Sequence, residues 1–145
     1  MLQLHIFLST GNEKKMPEIH GILFNMHIFY SLALGVWATV IAARNEPVSG
    51  NYWGAIMTYA LLAGAVLLVG IVMLLSGMQP QSGRVVVYVL YMLWLAIIMP
   101  GLFSLMRGRD DRSAALAFAL LAFFNFSTSV SMIERAIVAP WVFPS

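Results

Sequence analysis

Four apolar segments, each long enough to cross a lipid bilayer as a helix, constrain the fold of this chain more than any other feature. They cover residues 19–43, 53–75, 85–106 and 113–133. A helix needs about 20 apolar residues to cross a hydrocarbon core of about 30 Å. Charged residues make up only 10% of the chain, against roughly a quarter in soluble domains. The sequence therefore predicts an all-α integral membrane protein with four transmembrane helices.

The connections between these segments are short and carry charged or turn-forming residues. Short connections make consecutive helices antiparallel neighbours. We therefore expect an up-down-up-down bundle over residues 19–137, with both termini on one side of the membrane. Residues 1–18 are predicted to be an amino-terminal extramembrane or interfacial segment, and residues 138–145 a short carboxy-terminal tail. The expected membrane is the bacterial cytoplasmic (inner) membrane.

Single residues refine these boundaries. Residues 9–15 are polar and turn-prone, so we expect a link there, followed by Pro17 in the first turn of a helix. Met16 is then an alternative natural start of the chain. Pro100 is predicted to interrupt the third helix, because proline removes a backbone hydrogen bond. Asp111 is suited to act as the N-cap of the fourth helix.

Two features at the ends of the segments concern the membrane surface. Trp141 follows the fourth segment, near the expected headgroup level, where an amphipathic ring is stable. Residues 107–112 form the densest run of charge, which we interpret as a solvated loop whose charges pair with one another. Anionic lipid headgroups or a partner subunit could also bind there.

The residue inventory argues against several kinds of function. The chain has no cysteine, which rules out disulfides, thiolate metal sites and a cysteine nucleophile. Its basic residues lie in short loops, as topology signals do, so no nucleic-acid partner is expected. It has neither a nucleophile-elbow nor a phosphate-loop motif, and its histidines lack the spacing of metal ligands. We therefore expect no catalytic site and no bound metal.

Polar residues inside the spans are costly in lipid, so they are the best functional clue in the sequence. His20 and His27 are seven residues apart, so they project from nearly the same face of the first helix. Small residues continue that face, and His27 is therefore expected to face protein and not lipid. Further polar residues fall in the same half of the bundle: Asn25, Asn125, Ser127, Thr128, Ser129, Ser131, Glu134 and Arg135.

Two interpretations of this polar half stay open. In the first, a small cavity opens toward the terminal side and holds a quinone headgroup, a haem edge or a proton path. Its lining would be Asn25, Asn125, Thr128, Ser129, Glu134 and Arg135. In the second, serine hydroxyls bond to carbonyls four residues earlier, while Asn125 and His27 bond across helix interfaces. Either way His27 needs a hydrogen-bond partner. The candidates on this chain are Ser127, Thr128, Ser129 and Ser131; the alternative is a group from a neighbouring subunit or from a ligand.

A haem site is the most specific version of the first interpretation, because histidine is a common axial ligand of haem iron. His20 and His27 are the candidate cofactor ligands. A bis-histidine haem needs histidines on different helices, but the second, third and fourth helices have none. Two other arrangements stay open: a haem with a methionine as its second ligand, and a haem held between two subunits. We expect this chain alone to hold no cofactor, with haem or quinone as the alternative.

Small residues line one side of three predicted helices and predict close helix packing there. They are Gly35, Gly64, Gly70, Ala115, Ala119 and Ala122. Such faces pack either within the chain or against a neighbouring subunit.

By elimination, the sequence favours an interaction protein. The chain is small, lacks catalytic motifs and has few intramembrane polar groups with which to transport a solute. We expect a non-catalytic accessory or structural subunit of a larger membrane complex, with respiratory or photosynthetic electron-transfer complexes favoured. Its partners would be other membrane subunits and lipid. The alternative is a haem- or quinone-binding redox subunit that uses His20 and His27.

Overall fold

The computed structural model describes the secondary structure of residues 2–145, and the side chains of residue 11 and residues 14–145. The helices are α1 (Leu2–Ala43), α2 (Gly50–Leu75), α3 (Val85–Met106) and α4 (Arg112–Glu134). Two short strands, β1 (Gln79–Pro80) and β2 (Trp141–Val142), pair antiparallel. Each helix contains an apolar stretch long enough to cross a membrane. The predicted fold class, an all-α four-helix membrane bundle, is confirmed.

The first helix is longer than the sequence predicts. It runs without a break through residues 9–15, so the prediction of a polar link there is wrong. Glu13, Lys14 and Lys15 are good helix formers, and a helix satisfies its own backbone hydrogen bonds. Pro17 therefore lies inside α1 and not at its start. The stretch of α1 that can cross a membrane is Lys14–Ala43.

The third helix also continues through its proline. α3 is helical on both sides of Pro100, so the predicted interruption is wrong. A proline within a helix leaves one carbonyl of the preceding turn unpaired. A break in the helix would leave several backbone groups unpaired in hydrocarbon, which is the larger cost.

The buried sides of α2 and α3 follow an alternating spacing of three and four residues. In α2 the buried residues are Tyr52, Ile56, Tyr59, Ala63, Val66, Gly70 and Met73. In α3 they are Tyr88, Met92, Leu95 and Met99. An average spacing of 3.5 residues keeps one face of a helix against its neighbours along its length. The other faces carry large exposed apolar side chains, as helices in contact with lipid do.

The bundle is arranged around α1. This helix packs extensively against both α4 and α2, and α2 packs in turn against α3. Contact between α3 and α4 is much sparser. Three of the four neighbouring helix pairs are thus closely packed, and one is not.

Both ends of the bundle are joined by backbone hydrogen bonds. At the loop end, where the α1–α2 and α3–α4 connections meet, the N–H of Val48 donates to the carbonyl of Asp110 at 2.9 Å. At the opposite, terminal end, the tail after α4 pairs with the α2–α3 connection through β1 and β2. There the N–H of Gln81 donates to the carbonyl of Pro140 at 2.9 Å.

Candidate functional site: a buried polar cluster and an open groove

His27 lies inside the bundle. Its side chain is 0% exposed, which confirms that it faces protein and not lipid. The imidazole ring lies against Tyr59 of α2, with 4.4 Å between ring centroids, and stacks on Phe24 of α1 at 6.2 Å. We call the fully buried side chains His27, Ser31, Tyr59, Asn125 and Ser129 the polar cluster.

Several atoms of the polar cluster have no hydrogen-bond partner among the described residues. They are both ring nitrogens of His27, the hydroxyl of Tyr59 and Nδ2 of Asn125. The Tyr59 hydroxyl faces the side chains of Ser31 and Asn125, but neither approach has hydrogen-bond geometry. None of the candidates Ser127, Thr128, Ser129 and Ser131 therefore pairs with His27, and a partner from a neighbouring subunit or a ligand stays the alternative. Bulky Tyr59 and Phe24 occupy the positions beside the ring instead.

The serines of the polar cluster are satisfied within their own helices. Ser31 Oγ donates to the carbonyl of His27 at 3.0 Å, and Ser129 Oγ donates to the carbonyl of Asn125 at 2.9 Å. These are bonds to carbonyls four residues earlier, the arrangement that the second interpretation of the polar half predicts for Ser129. Neither hydroxyl can donate to another group in the cluster.

His20 occupies a separate site at the terminal end. Its Nε2 lies 2.7 Å from the hydroxyl of Tyr88 on α3, and its ring packs edge-on against Trp141, with 5.2 Å between centroids. Trp141 is 8% exposed. Trp141 thus packs on the bundle, a contact that the sequence did not predict, and its position at headgroup level stays a prediction. The tail therefore covers this end, where the first interpretation places a cavity opening.

Four residues assigned to that cavity lie elsewhere. Asn25 is exposed because it is two residues, about 200°, from His27 around the helix. Glu134 and Arg135 are exposed at the end of α4, and Thr128 is half-buried beside the groove between α3 and α4. Of the predicted lining, only Asn125 and Ser129 are in the polar cluster.

The small residues predicted to mediate packing do so with one exception. Ala115, Ala119 and Ala122 are buried in α4. A Cβ atom at Gly35 would lie 2.8 Å from the ring of Phe123, and one at Gly70 would lie 2.7 Å from Cζ of Tyr88.

Gly64 is that exception, because a Cβ atom there would meet nothing within 4 Å. Its neighbour Ala63 occupies the buried face of α2, and one residue turns a helix by about 100°. Gly64 therefore lies at no close interface within this chain, and packing against a neighbouring subunit stays a prediction.

An open apolar groove separates α3 from α4, and the sequence did not indicate it. Its terminal half, about 400 Å³, is lined by Val87, Leu90, Tyr91, Trp94, Phe124 and Thr128. Its loop half, about 600 Å³, is lined by Ile97, Ile98, Gly101, Leu102, Leu105, Ala117, Leu120, Leu121 and Phe124. From Val87 to Leu105 the α3–α4 groove extends about 27 Å along the helix, nearly the thickness of a hydrocarbon core.

One polar bond crosses between α3 and α4 in the terminal half of the groove. The indole Nε1 of Trp94 donates to Oδ1 of Asn125 at 3.2 Å. Trp94 is nine residues from the start of α3, about 14 Å along the axis, so it lies near the middle of the span. Asn125 therefore connects the α3–α4 groove to the polar cluster.

Asp111 caps α4, as the sequence predicts. Its carboxylate accepts hydrogen bonds from the Arg109 guanidinium and from the backbone N–H of Ala114, each at 2.9 Å. These bonds, first that from Arg109, hold the pKa of the Asp111 carboxyl below its usual value. The pair confirms that charges in the 107–112 loop pair with one another. Both side chains are more than half exposed, so the ion pair contributes little to stability.

The residues that sequence reasoning missed are aromatic. Tyr59, Tyr88 and Trp94 supply the contacts of His27, His20 and Asn125, respectively. The sequence did indicate that Tyr59 and Tyr88 are buried, because both belong to the alternating three- and four-residue spacing of their helices. That spacing marks a tyrosine as buried, and a buried hydroxyl usually needs a partner.

No known protein indicates the function of this chain. The chain gives no significant match to protein-family models, to curated proteins or to solved structures. Among the side chains that the structure describes, no group of three His, Asp or Glu residues is placed to hold a metal ion. The fold and composition define a multi-pass integral membrane protein of the four-helix class.

Proposed function

We propose that this protein is a non-catalytic accessory subunit of a larger membrane complex, and that a transmembrane helix of a partner subunit occupies the α3–α4 groove. The observation that carries the proposal is the sparse contact between α3 and α4. Sequential neighbours in a closed four-helix bundle pack along their length. Here the α3–α4 pair holds open a groove instead.

The length of the groove favours a helix over a lipid chain. The groove extends about 27 Å, whereas one acyl chain fills about half of a 30 Å core. Gly101 and Ala117 line the loop half, and small residues let a helix backbone approach closely. Tyr91 and Trp94 line the terminal half, and aromatic residues of this kind anchor protein interfaces.

Two glycines allow a matched test. A Cβ atom at Gly101, in the groove, would meet nothing within 4 Å, and the same holds at Gly64 on α2. Gly101→Leu should therefore fill the groove, and Gly64→Leu should add the same side chain elsewhere, without disturbing the bundle. The tagged chain is purified from native membranes in mild detergent, and co-purifying subunits are quantified by mass spectrometry.

We expect a defined set of membrane subunits with the wild type and with Gly64→Leu, and at least about a tenfold loss with Gly101→Leu, equivalent to 1.4 kcal/mol of binding free energy. A chain that purifies alone, or equal recovery with both variants, contradicts the proposal. Circular dichroism and size-exclusion profiles of the variants establish that each one folds.

The sequence favours an electron-transfer complex as the assembly, with cofactors held mainly by other subunits. The redox alternative places the cofactor on this chain and depends on His27, because His20 Nε2 already pairs with Tyr88. Absorbance spectra and quinone-dependent turnover together distinguish the two. A Soret band of the isolated chain that disappears in His27→Leu, or a quinone-dependent turnover of the complex that is lost in His27→Leu, supports the alternative. A spectrum and a turnover that are both unchanged by that substitution in the assembled complex support the accessory role.

A further inference from the structure

The polar cluster gathers unpaired hydrogen-bonding atoms at one place inside the bundle. Both ring nitrogens of His27, the Tyr59 hydroxyl and Asn125 Nδ2 lack partners among the described residues. All three side chains are 0% exposed. A buried polar atom without a partner is costly, and in a membrane no bulk water lies beside the helix to relieve that cost.

These atoms come from three helices but are neighbours in space. The ring of His27 on α1 lies 4.4 Å from the ring of Tyr59 on α2, measured between centroids. The hydroxyl of Tyr59 faces Asn125 on α4. The unpaired groups of the three helices are therefore gathered around Tyr59.

The nearby serine hydroxyls and the Asn125 oxygen each already make one hydrogen bond. The hydroxyls of Ser31 and Ser129 donate to carbonyls of their own helices. Asn125 Oδ1 accepts from the indole N–H of Trp94. This bond also fixes the orientation of the amide, because exchanging its oxygen and nitrogen would place an N–H₂ group against an N–H. Asn125 Nδ2 is therefore the amide atom left to donate to another partner.

The required ligand must be small, uncharged and able both to donate and to accept. Asn125 Nδ2 only donates, a neutral imidazole offers one acceptor nitrogen and one N–H, and a tyrosine hydroxyl does both. No Asp, Glu, Lys or Arg is buried among the side chains that the structure describes, so no countercharge is present for an ion. A buried water molecule typically makes about three hydrogen bonds to groups that would otherwise be unpaired.

We propose that His27, Tyr59 and Asn125 bind an ordered water molecule, which links α1, α2 and α4 inside the membrane. The water accepts from Asn125 Nδ2, donates to a ring nitrogen of His27 and exchanges a hydrogen bond with the Tyr59 hydroxyl. This site explains why one half of the bundle is polar although it is closed at the terminal end. It requires neither the partner subunit nor the groove occupant.

Solid-state NMR of the full chain in lipid bilayers tests this assignment, with the histidine rings labelled with ¹⁵N. The measured quantity is magnetisation transfer from water to each ring. The Nε2 atom of His20 is the internal control, because the side chain is 1% exposed and this nitrogen is paired with Tyr88, so the two histidines are compared at Nε2. His5→Gln removes the signal of the remaining histidine.

We expect a water cross-peak at His27 that is several-fold stronger than the one at His20, and weaker in Tyr59→Phe than in the wild type. Tyr52→Phe is the matched tyrosine control, since that hydroxyl donates to the carbonyl of Leu34 at 3.2 Å, and it should leave the His27 cross-peak unchanged. Equal cross-peaks at the two histidines, or a cross-peak from His27 to a molecule other than water, overturn the proposal. The wild-type comparison decides the question even if a variant fails to fold.

Discussion

The helix α4 has two neighbours, α1 and α3, and it meets them in different ways. Toward α1 it presents small buried residues, among them Ala119 and Ala122, which pack with Leu34 and Ala38 of α1. Toward α3 it presents Leu120 and other large side chains that line an open groove. The helix α4 therefore has one interface that is closed within the chain and one that is open.

The comparison also separates two kinds of polar group. At the α1 side, Asn125 and Ser129 are fully buried and belong to the polar cluster. At the α3 side, Trp94 is 43% exposed and carries the bond that crosses to α4. Polar groups of the closed interface are enclosed by the bundle, whereas the bond from Trp94 to Asn125 at the open interface borders the groove.

The largest effect is expected from Ala119→Leu. The side chain of Ala119 is 5% exposed, so the added carbons have no space, and overpacking of this kind costs about 1–3 kcal/mol. The adjacent change Leu120→Ala is the matched control, because Leu120 is 75% exposed; an exposed site should change stability by less than about 0.5 kcal/mol. The free energy of unfolding is measured by SDS titration in mixed micelles. Equal losses at the two positions would refute the difference between the interfaces.

The next largest effect is expected from Gly35→Leu, which tests the α1 side of the same interface. A Cβ atom at Gly35 meets the Phe123 ring at 2.8 Å, but Phe123 is 37% exposed and has room to turn outward. We therefore expect a loss nearer to about 1 kcal/mol than to 3. Gly64→Leu, where a Cβ atom meets nothing within 4 Å, should be close to neutral in the same titration. A loss at Gly64 that matched the loss at Gly35 would contradict the assignment.

A smaller effect is expected from breaking the bond across the groove. Trp94→Phe removes the N–H that donates to Asn125, and interhelical side-chain bonds in membranes are worth about 0.6 kcal/mol on average. A double-mutant cycle with Asn125→Leu isolates this term from the lost ring volume. A coupling energy of zero would show that the bond does not hold the two helices.

The smallest change in stability is expected at Asp111. This residue caps α4 and belongs to neither of the two interfaces of that helix. The pKa of the Asp111 carboxyl is lower in the folded protein than in the unfolded chain. The ionised carboxylate therefore stabilises the folded protein fully above the unfolded pKa, about 3.9. This stabilisation is lost as the pH falls through the lower pKa of the folded protein. Asp111→Asn keeps the cap and should flatten the fall of thermal stability between pH 5 and pH 2, about the acid range in which such a group titrates. Asp110→Asn, one residue before the N-cap, is the matched control, and an equal flattening there would contradict the role of Asp111.

Features that depend on a single helix were predicted well from the sequence. The apolar segments determine the spans, and Asp111 before an apolar run determines a cap, because both depend on local chemistry. The continuous helix through residues 9–15 was missed because polar turn-forming residues there also tolerate a helix.

Features that depend on two helices were predicted less well. A glycine alone does not show which face of its helix is buried, and for that reason Gly64 was assigned to an interface. The contacts of Trp141 with His20 and Tyr88 were not predicted, because a sequence does not show that the tail returns to the bundle. The α3–α4 groove depends on the combined volume of side chains on two helices, which no single segment reveals.

The most direct measurement of the central claim is photo-cross-linking in native membranes. A benzophenone amino acid replaces Leu120 in the groove, and in a parallel variant it replaces Leu68 on α2, where the side chain is 64% exposed. Both probes face outward from the bundle, and only the first lies in the α3–α4 groove. Our account predicts a discrete protein adduct from position 120 and lipid adducts alone from position 68. Lipid adducts alone from position 120, or the same protein adduct from both positions, would contradict it.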